Sequence, residues 1–101
     1  MSKANSIAIQ VVENYVGRLQ RQPYPYWRSL DFAYQSYSKS AAIDILNILK
    51  KDATTPPLIL IEEYKDLMDR YSCESKRSSF MFSVAYDTAD DIIDELINTF
   101  A

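Results

Sequence analysis

Apolar residues recur along this chain at the three- and four-residue spacing of amphipathic helices. Val11, Val12, Tyr15 and Leu19 fall on one stripe with Glu13 and Gly17 roughly opposite, which predicts a first helix from about Asn5 to Arg21. Pro23 and Pro25 forbid its continuation, since each lacks an N–H and pushes its predecessor out of the α region. A second helix is expected from near Ser29. Thr54-Thr55-Pro56-Pro57 reads as a helix start, a hydroxyl residue able to cap followed by Pro where the first-turn N–H has no intrahelical partner. The third helix then runs from about Pro57 to Tyr71 with a core stripe of Leu60, Ile61, Tyr64, Leu67, Met68 and Tyr71. The fourth runs from about Ser79 to Thr99, with Phe82, Ala85, Tyr86, Ala89, Ile92, Ile93, Leu96 and Phe100 facing inward and Ser78 or Ser79 as its cap.

The expected fold is therefore all-α, four helices arranged as two αα-hairpins. One alternative stays open. Residues 30–35 and 80–86 also fit a period of two and are rich in aromatic side chains, so an α+β fold with a short two-stranded hairpin competes for them. Helix is preferred because no Gly or Pro interrupts either segment.

Sliding the chain by 49 residues sets VVENYVGRLQRQ, from Val11, over LIEEYKDLMDRY, from Leu60. Glu13 then overlies Glu62, Tyr15 overlies Tyr64, Arg21 overlies Arg70, and Arg28-Ser29 meets Arg77-Ser78. Past Tyr37 a shift of 48 fits better, pairing Ser40-Ala41 with Thr88-Ala89 and Ile45 with Ile93. This suggests an internal repeat of halves 1–51 and 52–101, with pseudo-twofold symmetry and a one-residue irregularity near Ser38 to Ser40. Beyond that point the second helix turns apolar on nearly all sides, leaving only Asp44 and Asn47 polar between Ala41 and Leu49. Such a helix needs cover on more than one face, from a central place in the bundle or from a second subunit, for which Leu46 and Leu49 are the candidate contacts.

Composition narrows the class. The chain has 101 residues, 48% hydrophobic and 25% charged, which suits one globular domain spanning residues 1–101. A single Gly beside four Pro favours helices over turn-rich sheet folds. Cys73 is the one cysteine, the first residues lack a basic-then-apolar leader, and no apolar run is long enough for a membrane span. A cytoplasmic protein is expected.

The net charge of −3 divides unevenly. Residues 1–51 carry seven Lys/Arg against three Asp/Glu, a balance of +4, and residues 52–101 carry four against eleven, a balance of −7. Such a split can attract two copies head to tail.

Without His, the common catalytic bases and zinc sites are missing, and the lone Gly17 builds no phosphate-binding loop. Neither a catalytic residue nor a cofactor or metal ligand is assigned. The acidic runs Glu62-Glu63-Tyr64-Lys65-Asp66 and Asp91-Ile92-Ile93-Asp94 do resemble the E-E-x-x-E…E-x-x-D pattern of the all-α nucleoside triphosphate pyrophosphohydrolases, the MazG-like family. That resemblance implies magnesium ligands at Glu62, Glu63, Asp66, Asp91 and Asp94 and diphosphate release from an NTP. Asp stands at Asp66 and Asp91 where the family has Glu. At about 100° per residue, Glu62 and Asp66 lie roughly 160° from the Tyr64 core direction, which reads instead as a solvated acidic face.

A third reading rests on the corner Gln22-Pro23-Tyr24-Pro25-Tyr26-Trp27-Arg28-Ser29. There Tyr24, Tyr26 and Trp27 stand among Arg18, Arg21, Arg28 and Lys39, and bases of single-stranded nucleic acid stack on such rings. A pI near 4.8 weighs against it. The favoured reading is a non-catalytic helical protein acting by protein association, as a homo-oligomer, with Tyr24, Tyr26, Trp27, Arg28, Leu46 and Leu49 as the partner-binding residues.

Overall fold

The computed structural model describes residues 3–21, 29–74 and 79–101, with backbone alone for 29–32. Four helices account for nearly all of them: α1 (Lys3–Arg21), α2 (Ser29–Lys51), α3 (Pro57–Glu74) and α4 (Ser79–Phe100). The all-α expectation holds. The two-stranded alternative does not, since residues 30–35 lie within α2 and 80–86 within α4. Aromatic content misled there. A period of two would have sent Val84 and Ala85 to opposite faces, yet both are buried, as are Thr88, Ala89 and Ile92 at helical spacing. The expected irregularity near Ser38 is also missing, and α2 runs unbroken through it.

Two hairpins are joined by a short connector. In the first, the side chain of Asn5 near the start of α1 donates to the carbonyl of Asp52, just beyond α2 (3.3 Å), which sets the two helices antiparallel. In the second, Ser72 meets Ser83 (2.9 Å) and Lys65 meets Asp90 (2.8 Å), again antiparallel, and α3 and α4 pack more extensively than any other pair. Every helix touches the other three, and α2 packs mainly on α1 and α4. That cover from within the chain uses up Ala41, Ala42, Ile45 and Leu49, each no more than 2% exposed.

The helices α2 and α4 meet through small side chains. Ser38 and Thr88, both buried, share a hydrogen bond of 2.7 Å, and Ala41 and Ala85 lie beside the same cavity. The Thr88 hydroxyl also donates to the Val84 carbonyl one turn back (2.8 Å). One core cluster draws on all four helices, from Ala8, Val12 and Val16 through Ile45 and Leu49 to Ile61, Ile92 and Leu96.

The connector is held by one carboxylate. Asp52 accepts from the backbone and hydroxyl of Thr54 (2.9 Å each), and from the backbone (3.0 Å) and hydroxyl (2.7 Å) of Thr55. The threonines therefore turn back to Asp52 instead of capping α3, which corrects the capping role expected for them. The carbonyl of Pro56 receives the N–H groups of Ile59 (3.1 Å) and Leu60 (3.3 Å). Pro57 occupies the first helical position, as its missing N–H favours.

Candidate functional site

A cleft opens where α2, α3 and α4 come together, with a volume of about 130 Å³. Its floor is Ala41, Tyr64, Met68 and Ala85, all buried, and its walls are the half-buried Tyr37, Met81 and Phe82. Helical spacing makes this possible, because Tyr37, Ala41 and Asp44 recur every three to four residues on α2, as Tyr64 and Met68 do on α3. Phe80 and Tyr71 support the walls from outside. Phe80 stands edge-on to Tyr37 at 5.9 Å between ring centroids, and Tyr71 tilts against Phe82 at 5.3 Å.

The rim is mixed. Ser40 and Asp44 are exposed on the α2 side. On the α3 and α4 side Tyr71 and Phe80 are 40% and 44% exposed. Burial, with the Asp44 carboxylate adding to it, pushes the Tyr64 phenol up to about 12, so it keeps its proton at neutral pH. Beyond Asp44 a shallower depression of about 290 Å³ continues over α2, bordered by Ser36, Lys39, Ser40, Ile43 and Asp44.

A second polar line joins α1 to α4. Arg18 pairs with Glu95 and lies 5.3 Å above the Tyr15 ring, while the Tyr15 hydroxyl donates to Asp91 (3.4 Å). Burial raises the Tyr15 phenol, a hydrogen bond with Ser38 opposes that, and Asp91 adds to the rise. Burial likewise raises the Asp91 carboxyl against the lowering effect of Tyr15. Lys65 bridges Asp90 and lies 5.1 Å from the Tyr86 ring centroid, and that bond to Asp90 raises the ammonium above its usual value. These pairs tie helices together, and Arg18 is thereby committed to the fold.

Of the residues singled out for partner binding, Tyr24, Tyr26, Trp27 and Arg28 lie outside the described residues. Leu49 is fully buried, and Leu46 is half-buried against the core. Glu62, Glu63, Asp66, Asp91 and Asp94 are each exposed, and among the described residues no three acidic or cysteine side chains gather closely enough to hold a metal ion. Cys73 is exposed and free. The cleft itself escaped sequence reasoning. Its signal was the run Phe80-Met81-Phe82, set against Met68 and Tyr71, which the period-two alternative had claimed for a strand.

Comparison with protein-family models, with curated proteins and with solved structures finds no match to this chain. Fold and surface define its class: a four-helix all-α protein with an aromatic and methionine cleft on one face. Among the described residues no helix is long and apolar enough to cross a membrane.

Proposed function

We propose that the protein is a non-catalytic association module and that a second copy of the chain covers the face formed by α2, α3 and α4. The observation that carries this reading is the exposed rim of the cleft, where Tyr71 and Phe80, packed against the wall residues Phe82 and Tyr37, each leave more than a third of their surface to solvent. Aromatic and methionine side chains dominate the energetics of protein interfaces, and apolar surface gathered beside a cleft marks a contact site more often than scattered exposure does. The charge division between +4 and −7 supports a second copy as the partner, because the basic half of one chain attracts the acidic half of another. The proposed interface moves away from Leu49, whose burial leaves it no surface to offer. Leu46 contributes only its outer edge, and the Tyr24 to Arg28 corner remains a proposed contributor on its sequence alone. The compartment proposed is the cytoplasm, which suits an exposed free thiol at Cys73.

Sedimentation velocity tests the reading. The wild type is expected to sediment as a dimer, and Phe80→Asp as a monomer with unchanged helical circular dichroism. Tyr71→Asp serves as an independent second variant on the same rim. A wild type that stays monomeric at millimolar concentration overturns self-association.

A further inference from the structure

The cleft has a chemical bias that its apolar lining alone would not give. Three aromatic rings, Tyr37, Tyr64 and Phe82, and two thioethers, Met68 and Met81, surround it, and one carboxylate, Asp44, stands at its mouth. Among the described residues Asp44 has no cationic partner, since the ion pairs formed are Arg18 with Glu95, Lys50 with Glu13 and Lys65 with Asp90. Tyr64, with its phenol protonated, offers a ring face and a hydroxyl without adding charge.

Each class of occupant meets a different cost. An anion entering here would face Asp44 and the electron-rich ring faces. A neutral apolar side chain would fill the volume but strip water from Asp44 without pairing it. A cation on an apolar stem satisfies every wall: its charge meets Asp44 and the ring faces, and its methylenes pack on Met68, Met81 and Ala85. A volume of about 130 Å³ suits one long side chain rather than a helix or a bulky ligand.

The shallower depression extends the site in one direction. It shares Ser40 and Asp44 with the cleft and adds Lys39. A chain leaving the cleft over α2 therefore passes a carboxylate and then an ammonium, which favours an acidic residue next to the anchor and disfavours a second basic one.

Resting on the reading of this face as an association surface, we propose that the cleft is an anchor pocket for one arginine or lysine side chain of a polypeptide partner, with an acidic neighbour in that partner meeting Lys39. Asp44 and the Tyr37, Tyr64 and Phe82 rings select the anchor, and Lys39 sets the direction of the chain.

The test uses minimal probes, with the methionine methyls of Met68 and Met81 observed by NMR at protein dilutions where sedimentation gives monomer. N-acetyl-arginine amide is expected to shift both methyls saturably. Its neutral isostere N-acetyl-citrulline amide should bind about threefold to tenfold more weakly, and Asp44→Asn should weaken the arginine probe by a similar factor. Adding glutamate, as N-acetyl-Arg-Glu amide, should tighten binding in the wild type but not in Lys39→Ala. Equal binding of arginine and citrulline, or an Asp44→Asn protein as good as wild type, overturns the anchor. The two readings separate cleanly. A monomeric protein that binds the arginine probe keeps the pocket and loses self-association, whereas a dimer whose methyls ignore the probe does the reverse.

Discussion

Asp52 concentrates more of the local structure than any other single side chain described. It accepts four hydrogen bonds from Thr54 and Thr55, and its backbone carbonyl receives the side chain of Asn5. These donors favour the ionised carboxylate and hold it well below the usual carboxylate range, with the Thr55 hydroxyl the largest contributor. A folded-state value below the unfolded one stabilises the protein above the unfolded value near 3.8, and that stability is lost as pH falls beneath it. Thermal melts of the wild type should therefore lose stability on acidification below about pH 4. The same melts of Asp52→Asn should start lower at neutral pH and fall less steeply below it. An Asn variant with the wild-type acid profile would show that other carboxylates govern the acid limb. The sequence pointed to this connector through its prolines but gave the threonines the wrong role, as acceptors for the N–H groups of the next helix. Their hydroxyls instead donate to the carboxylate before them, and such charge-assisted bonds are stronger than neutral ones.

At the scale of the helix, boundaries were far more legible than phase. Every start described fell within two residues of its expected place, α3 marked by its proline pair and α2 and α4 by their Ser residues, while α1 was read from its apolar stripe. Phase depends on where neighbours lie, and there the sequence misjudged. α1 buries Asn5, Ala8, Val12 and Val16, leaving Val11 and Tyr15 to flank the core, and Leu67, Tyr71 and Phe100 face solvent although they continue apolar stripes. Burial follows the residue matches at several pairs and departs from them at others. Val12 and Ile61, and at the 48-residue shift Ala41 with Ala89 and Ile45 with Ile93, are buried in both halves, and Glu13 and Glu62 are exposed in both, whereas Tyr15 is half-buried where Tyr64 is buried and Ser40 is exposed where Thr88 is buried. Gly17, in the middle of α1, has a negative φ, and a Cβ there would meet only the Nη1 end of Arg21, at 3.2 Å. That side chain can move, so Gly17→Ala is expected to stabilise the protein by about 0.5 to 1 kcal/mol. A thermal midpoint raised by about 3 to 6 °C would register it, and a fall would mean that Arg21 is not free to shift.

Across the whole molecule, the four-helix architecture was readable because it rests on composition and periodicity, both carried by many residues at once. The cleft was not, since it joins Tyr37, Met68 and Phe82 from three helices whose mutual placement no local pattern encodes. The charge division was readable and bears on assembly. If the basic half of one copy faces the acidic half of another, raising ionic strength from about 0.05 to about 0.5 M should weaken dimerisation several-fold, since screening shortens the reach of exposed charges. Sedimentation equilibrium across that range decides it, and an affinity that is unchanged or rises with salt would assign the contact to apolar burial alone. The connector at residues 52–56 has a related effect inside one chain. It keeps two hairpins of opposite charge at an effective concentration on the order of millimolar or above. The two halves meet through the shared core, with Val12, Ile45, Ile61 and Leu96 among its members, and the small residues Ser38, Ala41, Ala85 and Thr88 let α2 and α4 approach within it. Because the connector holds the halves close, that core forms without the entropic cost of bringing two separate chains together.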